Sequence, residues 1–195
     1  MRRNLILAAA AVLALLAVAQ LALPPLAENR IESKLTKRGG SAHVDLQAFP
    51  AVRLLFKEGD SLKIRAKGIE TELVRGSLDD LDGFDKVEIK TSNAQAGPFA
   101  IALLTLERDG AGTPYRAHVE ATVTGADLAA YAGGRLGGLA GAFIPGANRT
   151  IPIDLTGVIR SDDGRARAVS VEGSVAGIPA GPLLEAMATA LATRF

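Results

Sequence analysis

The chain has 195 residues, no cysteine and no tryptophan, and its formal net charge is +1. Without cysteine the protein holds no disulfide, no metal thiolate and no cysteine nucleophile. The length fits one domain or one domain with a leader, and the near-neutral charge gives no basic field of the kind that nucleic-acid binding requires.

The first residues carry an export signal. Arg2 and Arg3 precede an apolar run from Leu5 to Leu23, which only Gln20 interrupts. At about 1.5 Å per residue this run spans about 28 Å as a helix, close to the hydrocarbon thickness of a bilayer. It therefore has the length of a transmembrane helix, which would be retained as a signal anchor.

The alternative for the leader is a signal peptide that is removed. Ala17-Val18-Ala19 matches the small-residue pattern of a cleavage site, and Pro24-Pro25 is expected to end the apolar helix. We predict residues 1–23 as signal peptide or signal anchor and residues 24–195 as one domain. Either alternative puts the domain in the periplasmic or other extracytoplasmic part of the cell envelope, anchored by the N-terminal helix or released after about Ala19.

Apolar periodicity predicts several strands and helical segments in the domain. Strands of period two are expected over 42–47, 62–68, 86–90, 115–123, 151–156 and 169–175, while 99–106 is apolar on both faces, as in a central strand or one covered by a helix. Helical segments are expected over 26–37, from Pro50 to the turn at Gly59-Asp60, and from Pro182 onward. A further helix is expected to begin at a Thr124 cap, and its continuation to residue 143 is predicted as two short helices or a helix and a mobile loop. Asp163-Gly164 marks a hairpin turn. This order predicts an α+β fold in which a curled antiparallel sheet wraps around apolar helices.

Catalytic and metal-binding patterns are not found in the sequence. His43 and His118 both fall on the polar side of a strand, where a solvated histidine is the ordinary interpretation. The acidic run from Asp79 to Asp82 does not place oxygen ligands where a calcium loop needs them. We expect no catalytic residues, no metal and no cofactor.

Apolar segments flanked by proline or glycine are the candidate site, since together they could enclose acyl chains against the sheet. The predicted lining consists of Phe49, Val52, Leu55, Phe56, Phe99, Ile101, Leu136, Leu139, Phe143, Ile144, Leu183, Leu184 and Met187. A filled core is the alternative for each segment. Lys63, Arg65 and Lys67 form a basic row on one strand and are predicted to contact lipid headgroups at a membrane surface; a plain solvated face is the alternative.

The chain resembles the LmeA-like phospholipid-binding proteins of actinobacterial cell envelopes over about residues 24–195. The resemblance lies in Pro25-Leu26-Ala27-Glu28 with Ile31 and Leu35, in Ala48-Phe49-Pro50 with Leu54-Leu55 and Gly59, and in Thr124-Gly125-Ala126-Asp127-Leu128. It implies a non-enzymatic phospholipid-binding domain related to the tubular lipid-binding superfamily, in which a long helix and a curved sheet enclose a lipid. In mycobacteria the family is associated with lipoglycan maturation.

Two functions remain open at this point. The first is an exported protein that holds phospholipid acyl chains in an apolar groove and serves the maturation of envelope lipid or lipoglycan. The second is a structural envelope domain with a filled core and protein partners, which the sequence does not identify.

Overall fold

The computed structural model describes residues 2–71, 78–127 and 149–179, with side chains from residue 16 onward. The helical elements are α1 (Arg2–Leu35), a 3₁₀ helix (Ala51–Phe56) and α2 (Asp79–Asp82). The strands are β1 (Ser41–Gln47), β2 (Gly59–Lys67), β3 (Glu70–Thr71), β4 (Phe84–Ala96), β5 (Phe99–Arg108), β6 (Tyr115–Thr124), β7 (Thr150–Asp162), β8 (Arg165–Val175) and β9 (Ile178–Pro179).

These strands form one open, curled sheet in the order β1-β2-β4-β5-β6-β7-β8-β9, with β3 on β4. The α+β class is as predicted, but the expectation of a wholly antiparallel sheet is wrong. Strand β4 runs parallel to β2, with Ile64 opposite Ile89, and β3 also runs parallel to β4. Phe84, the first residue of β4, lies opposite Gly59, the first residue of β2, so the two strands run in the same direction.

One apolar face runs through the sheet from β1 to β8. Because side chains alternate between faces along a strand, residues paired across strands share a face. The longest such row contains Val44, Ile64, Ile89, Leu106, Ala117, Gly157 and Val171. The main buried core lies on this face around β1, β2 and β4 and reaches Tyr115 of β6; Ala27, Ile31 and Leu35 of α1 pack against it.

Helix α1 continues without interruption through Pro24 and Pro25, so the prediction of a helix that begins at Leu26 is wrong. A proline inside a helix removes a hydrogen bond and costs about 3 kcal/mol. Tertiary contacts offset this cost on both sides of the proline pair. Gln20 before it and Glu28 after it both hydrogen-bond to backbone of the domain.

Several turn and cap predictions are confirmed. Asp163 and Gly164 join β7 and β8 with positive φ values of 51° and 75°, which suits an Asp-Gly hairpin turn. The Asp127 N–H donates to Thr124 Oγ1 at 3.0 Å, as expected for a threonine that caps a helix start. Strand β4 is longer than the predicted 86–90, because its pairing with β5 continues to Ala96.

The retained-anchor alternative for the leader implies a membrane-spanning helix. In the part of the chain that the structure describes, no helix combines the length and the apolar character that a bilayer crossing requires.

Candidate functional site

The apolar face of β5 to β8 is the candidate site. Among the described residues, α1 packs closely on β1 and on the 3₁₀ helix, and α2 packs on β4. The apolar face of β5 to β8 extends beyond these contacts. Ala121 and Val123 of β6 are buried on this face, and other large apolar side chains, from four adjacent strands, are half-buried. The half-buried residues are Phe99, Ile101, Leu104, Leu106, Val119, Ile151, Ile153, Leu155, Val171 and Val175.

Two of the predicted lining residues lie on this face. Phe99 is opposite Val123, and Ile101 is opposite Ala121. Ile101 also borders an open depression of about 700 Å³, but Gln95, Ala100 and Thr122, which line it too, are paired on the opposite face of the sheet. Sequence periodicity missed the contributions of β6, β7 and β8, although their alternating valines, isoleucines and leucines carry the signal.

The 3₁₀ helix turns most of its predicted lining residues away from the sheet. Phe49, Leu55 and Phe56 are 77%, 64% and 74% exposed, and Val52 is half-buried. The prediction assumed α-helical spacing. A 3₁₀ helix has three residues per turn, so Ala51 and Leu54 share the inward face and the residues after Leu54 point outward. The structure therefore does not bring Phe49, Leu55 or Phe56 to the apolar face.

The remaining predicted lining residues lie outside the described residues. They are Leu136, Leu139, Phe143, Ile144, Leu183, Leu184 and Met187. Their role stays a prediction.

The predicted basic row lies on the opposite face of the sheet from the apolar one. In β2, Leu62, Ile64 and Ala66 are buried on one face, so Lys63, Arg65 and Lys67 point to the other. Strand alternation therefore separates the predicted headgroup contacts from the apolar face by the thickness of the sheet. A headgroup role for these residues stays a prediction, and it requires lipid on the polar face.

On that polar face the charges are unevenly paired. Lys63 lies 3.3 Å from Glu88 and opposite Asp45, so acidic neighbours surround it. In contrast, Arg65 and Lys67 have no ion-pair partner among the described residues. An open depression of about 390 Å³ is lined by Ser41, Ala42, His43, Arg65, Ala66, Lys67, Lys90 and Ser92. Lys90 is thus a basic residue that the sequence prediction omitted, because it comes from β4 and only the pairing of β4 with β2 brings it here.

Both histidines contact carboxylates on the protein surface. His118 Nε2 lies 3.1 Å from Glu120 Oε1, and His43 Nδ1 lies 3.3 Å from Glu32 Oε1. Within the described ranges, no three His, Cys, Asp or Glu side chains are arranged to hold a metal ion.

A buried polar cluster joins α2 to the sheet, and sequence reasoning missed it. The Arg108 guanidinium donates to Asp82 Oδ1 at 3.2 Å and to the carbonyl oxygens of Leu81, Asp82 and Phe84. The Tyr115 hydroxyl donates to the same Asp82 oxygen at 2.8 Å, and the Ser161 hydroxyl donates to the other. Burial and this hydrogen bond raise the pKa of Tyr115 well above its usual value of about 10. Both carboxylate oxygens of Asp82 therefore accept hydrogen bonds from the protein itself. We assign this cluster a structural role.

One comparison with known proteins gives a match over most of the chain. The family model described as LmeA-like phospholipid-binding matches residues 16–195, nearly the whole chain. No curated protein and no solved structure matches it. Since the match covers α1 from residue 16 together with every strand of the sheet, the chain belongs to the LmeA-like phospholipid-binding family.

Proposed function

We propose that this protein is an exported, non-enzymatic phospholipid carrier or sensor whose apolar sheet face holds acyl chains. The observation that carries the proposal is the apolar face of β5 to β8, which continues past the helices described and is mostly half-buried. Membership of a phospholipid-binding family gives the ligand class. The lipid would serve maturation of the cell envelope, and the sheet would lie outside the cytoplasmic membrane.

The energetics favour an acyl chain as the occupant. Each buried methylene contributes about 0.8 kcal/mol, so one tail of ordinary length brings on the order of 10 kcal/mol before ordering costs. The residues on this face offer no charge to a headgroup, since Leu104, Val119 and Leu155 lie side by side across three strands. The headgroup would therefore extend beyond the apolar face, toward the sheet margin or the surrounding water.

The test is native mass spectrometry of the full-length protein, purified from membranes in mild detergent. We expect a discrete added mass that matches a phospholipid, and extraction should recover that lipid. A protein that carries no lipid and gains none on titration with phospholipid would contradict the proposal. That result would favour a structural domain with a filled core.

A pair of variants makes the assignment specific to one face. Leu155→Gln puts an amide on the apolar face, where an unpaired polar group costs about 1–3 kcal/mol, so lipid occupancy should fall about tenfold. Ser170→Gln puts the same amide on the opposite, exposed face of the neighbouring strand β8 and should leave occupancy unchanged. Equal losses in both variants would show that the apolar face is not the binding surface.

A further inference from the structure

Two outward side chains of the 3₁₀ helix, with Phe49 just before it, form a surface that neither the core nor the apolar sheet face uses. Phe49, Leu55 and Phe56, here called the apolar tip, are each more than half exposed. Large apolar side chains that cluster in water on a folded protein commonly mark an interaction surface.

Hydrogen bonds hold the backbone of this tip rigidly in place. Asp60 accepts from the Phe49 N–H at 2.8 Å and from Arg53 Nη1 at 2.8 Å. On the other side, Gln20 of α1 donates to Ala48 O at 2.9 Å and accepts from the Ala51 N–H at 2.7 Å. The tip is therefore preformed, and binding through it requires no ordering of the backbone.

The apolar surface continues from the tip onto α1. The hydrogen bonds of Gln20 place this turn of the helix beside the tip, and the adjacent Leu21 is 80% exposed. Val18, one turn earlier, is also exposed. Toward the N-terminus the same helix carries an uncharged apolar sequence as far as Asn4. The exposed patch thus spans two elements that the fold brings together.

Little net charge surrounds the patch, which suits a lipid surface. Residues 4–27 of α1 contain no charged residue, and residues 47–57 contain only Arg53 and Lys57. Arg53 pairs with Asp60 and Lys57 pairs with Asp80, so both of these charges are balanced by carboxylates. Burial of apolar side chains, rather than attraction to anionic headgroups, would therefore drive binding to a bilayer.

We propose that the apolar tip inserts into the surface of a phospholipid bilayer, with α1 residues 18–21 beside it, and so orients the lipid-binding domain on the membrane. This inference rests on the proposed function, because a protein that exchanges acyl chains must meet the bilayer that supplies them. It assigns Phe49, Leu55 and Phe56 to the membrane rather than to the bound lipid.

The chain contains no tryptophan, so a single introduced tryptophan reports on one position without background. Phe56→Trp probes the tip. Ser170→Trp is the control, since Ser170 is exposed on β8, on the face of the sheet opposite the apolar one, and β8 lies at the other end of the strand order from β1. Each full-length variant is incorporated into vesicles of anionic and zwitterionic phospholipid with brominated acyl chains, and its fluorescence is compared with that in vesicles of the unbrominated lipids.

We expect the emission of F56W to shift to the blue in vesicles and to be strongly quenched by the brominated chains. The emission of S170W should stay at its value in water and lose little intensity. A tip that inserts should also give less quenching when the bromine is moved deeper along the acyl chain, because the insertion is shallow.

Two results would overturn the proposal. Equal and weak quenching of F56W and S170W would show that the tip stays in water. A blue shift of F56W that depends on protein concentration without vesicles would identify a second copy of the chain as the occupant. Failure here is distinguishable from failure of the proposed function, since native mass spectrometry measures bound lipid independently of tip insertion.

Discussion

Glu32 Oε1 accepts the Val44 N–H at 2.8 Å, so a helix side chain takes the place of a neighbouring strand at the edge of the sheet. One helical turn earlier, Glu28 Oε1 accepts the Leu46 N–H at 2.9 Å. Residues four apart on a helix and residues two apart on a strand have similar spacings, about 6 Å and 6.8 Å, so the two carboxylates match the free N–H groups of β1. Unpaired strand edges promote association between chains, and this arrangement protects the β1 edge.

Replacing both carboxylates should destabilise the protein and expose the β1 edge. E28A/E32A leaves two backbone N–H groups without acceptors, and each such loss costs about 1–3 kcal/mol. We expect a lower urea midpoint and concentration-dependent association in light scattering. E28Q/E32Q is the control, since each glutamine retains an acceptor oxygen and should lose much less stability. Equal losses in both variants would show that the charges, not the hydrogen bonds, hold the edge.

Gln20 should be essential for the geometry of the 3₁₀ helix. Its side chain donates to Ala48 O and accepts from the Ala51 N–H, a pair of roles that neither a methyl group nor a carboxylate fulfils. Q20A should lower the free energy of unfolding by about 1–2 kcal/mol and weaken protection of the Ala51 amide in hydrogen exchange. Q20E keeps the acceptor and loses the donor, so protection of the Ala51 amide should persist in this control.

The same contacts predict where the mature chain begins if the leader is removed. Cleavage after Ala19 leaves Gln20 as the first residue, and both of its side-chain bonds to the domain are kept. N-terminal sequencing of the exported protein should give a start at Gln20 or earlier. A start at residue 24, the predicted domain boundary, would contradict a role for Gln20 in the mature fold.

Removing the Asp82 carboxylate should be among the most damaging single changes in the sheet. The side chain of Arg108 is 3% exposed, and D82A leaves its buried charge without a counter-ion, which costs about 3–5 kcal/mol. Urea unfolding should show this loss directly. D80A removes a carboxylate from the same short helix, but Asp80 is exposed and pairs with the exposed Lys57, so little change is expected. Comparable losses in D82A and D80A would rule out the buried pair as the cause.

Tyr115 should make the stability of the protein sensitive to alkaline pH. Its folded pKa is raised above the unfolded value of about 10 by burial and by the hydrogen bond to Asp82. A raised pKa stabilises the fold fully below the unfolded pKa, and this contribution is lost as the pH rises toward the folded pKa. The free energy of unfolding should therefore decline above about pH 10. Y115F should be less stable at neutral pH and should show a shallower alkaline decline.

The local elements of this fold could be read from the sequence because their causes are local. Alternation in Tyr115–Val123 predicts a strand with one apolar face, and Asp163-Gly164 predicts the hairpin turn that joins β7 to β8. Export, the single domain and the lipid-binding role also came from the sequence as expectations, and the family match supports the phospholipid class. The placement of residues 128–148 and 180–195 lies outside the described residues, so their helical periodicity stays a prediction.

Tertiary structure decided what no local pattern encodes. Pro24-Pro25 predicts a helix end, yet bonds from Gln20 and Glu28 to distant backbone hold one helix through it. Apolar spacing cannot distinguish an α-helix from a 3₁₀ helix, and that difference sends Phe56 outward and Leu54 inward. Lys90 joins Arg65 only because β4 pairs in parallel with β2. Hydrophobic pattern thus determined which residues avoid water within each element, while long-range hydrogen bonds and strand order determined which of those surfaces meet.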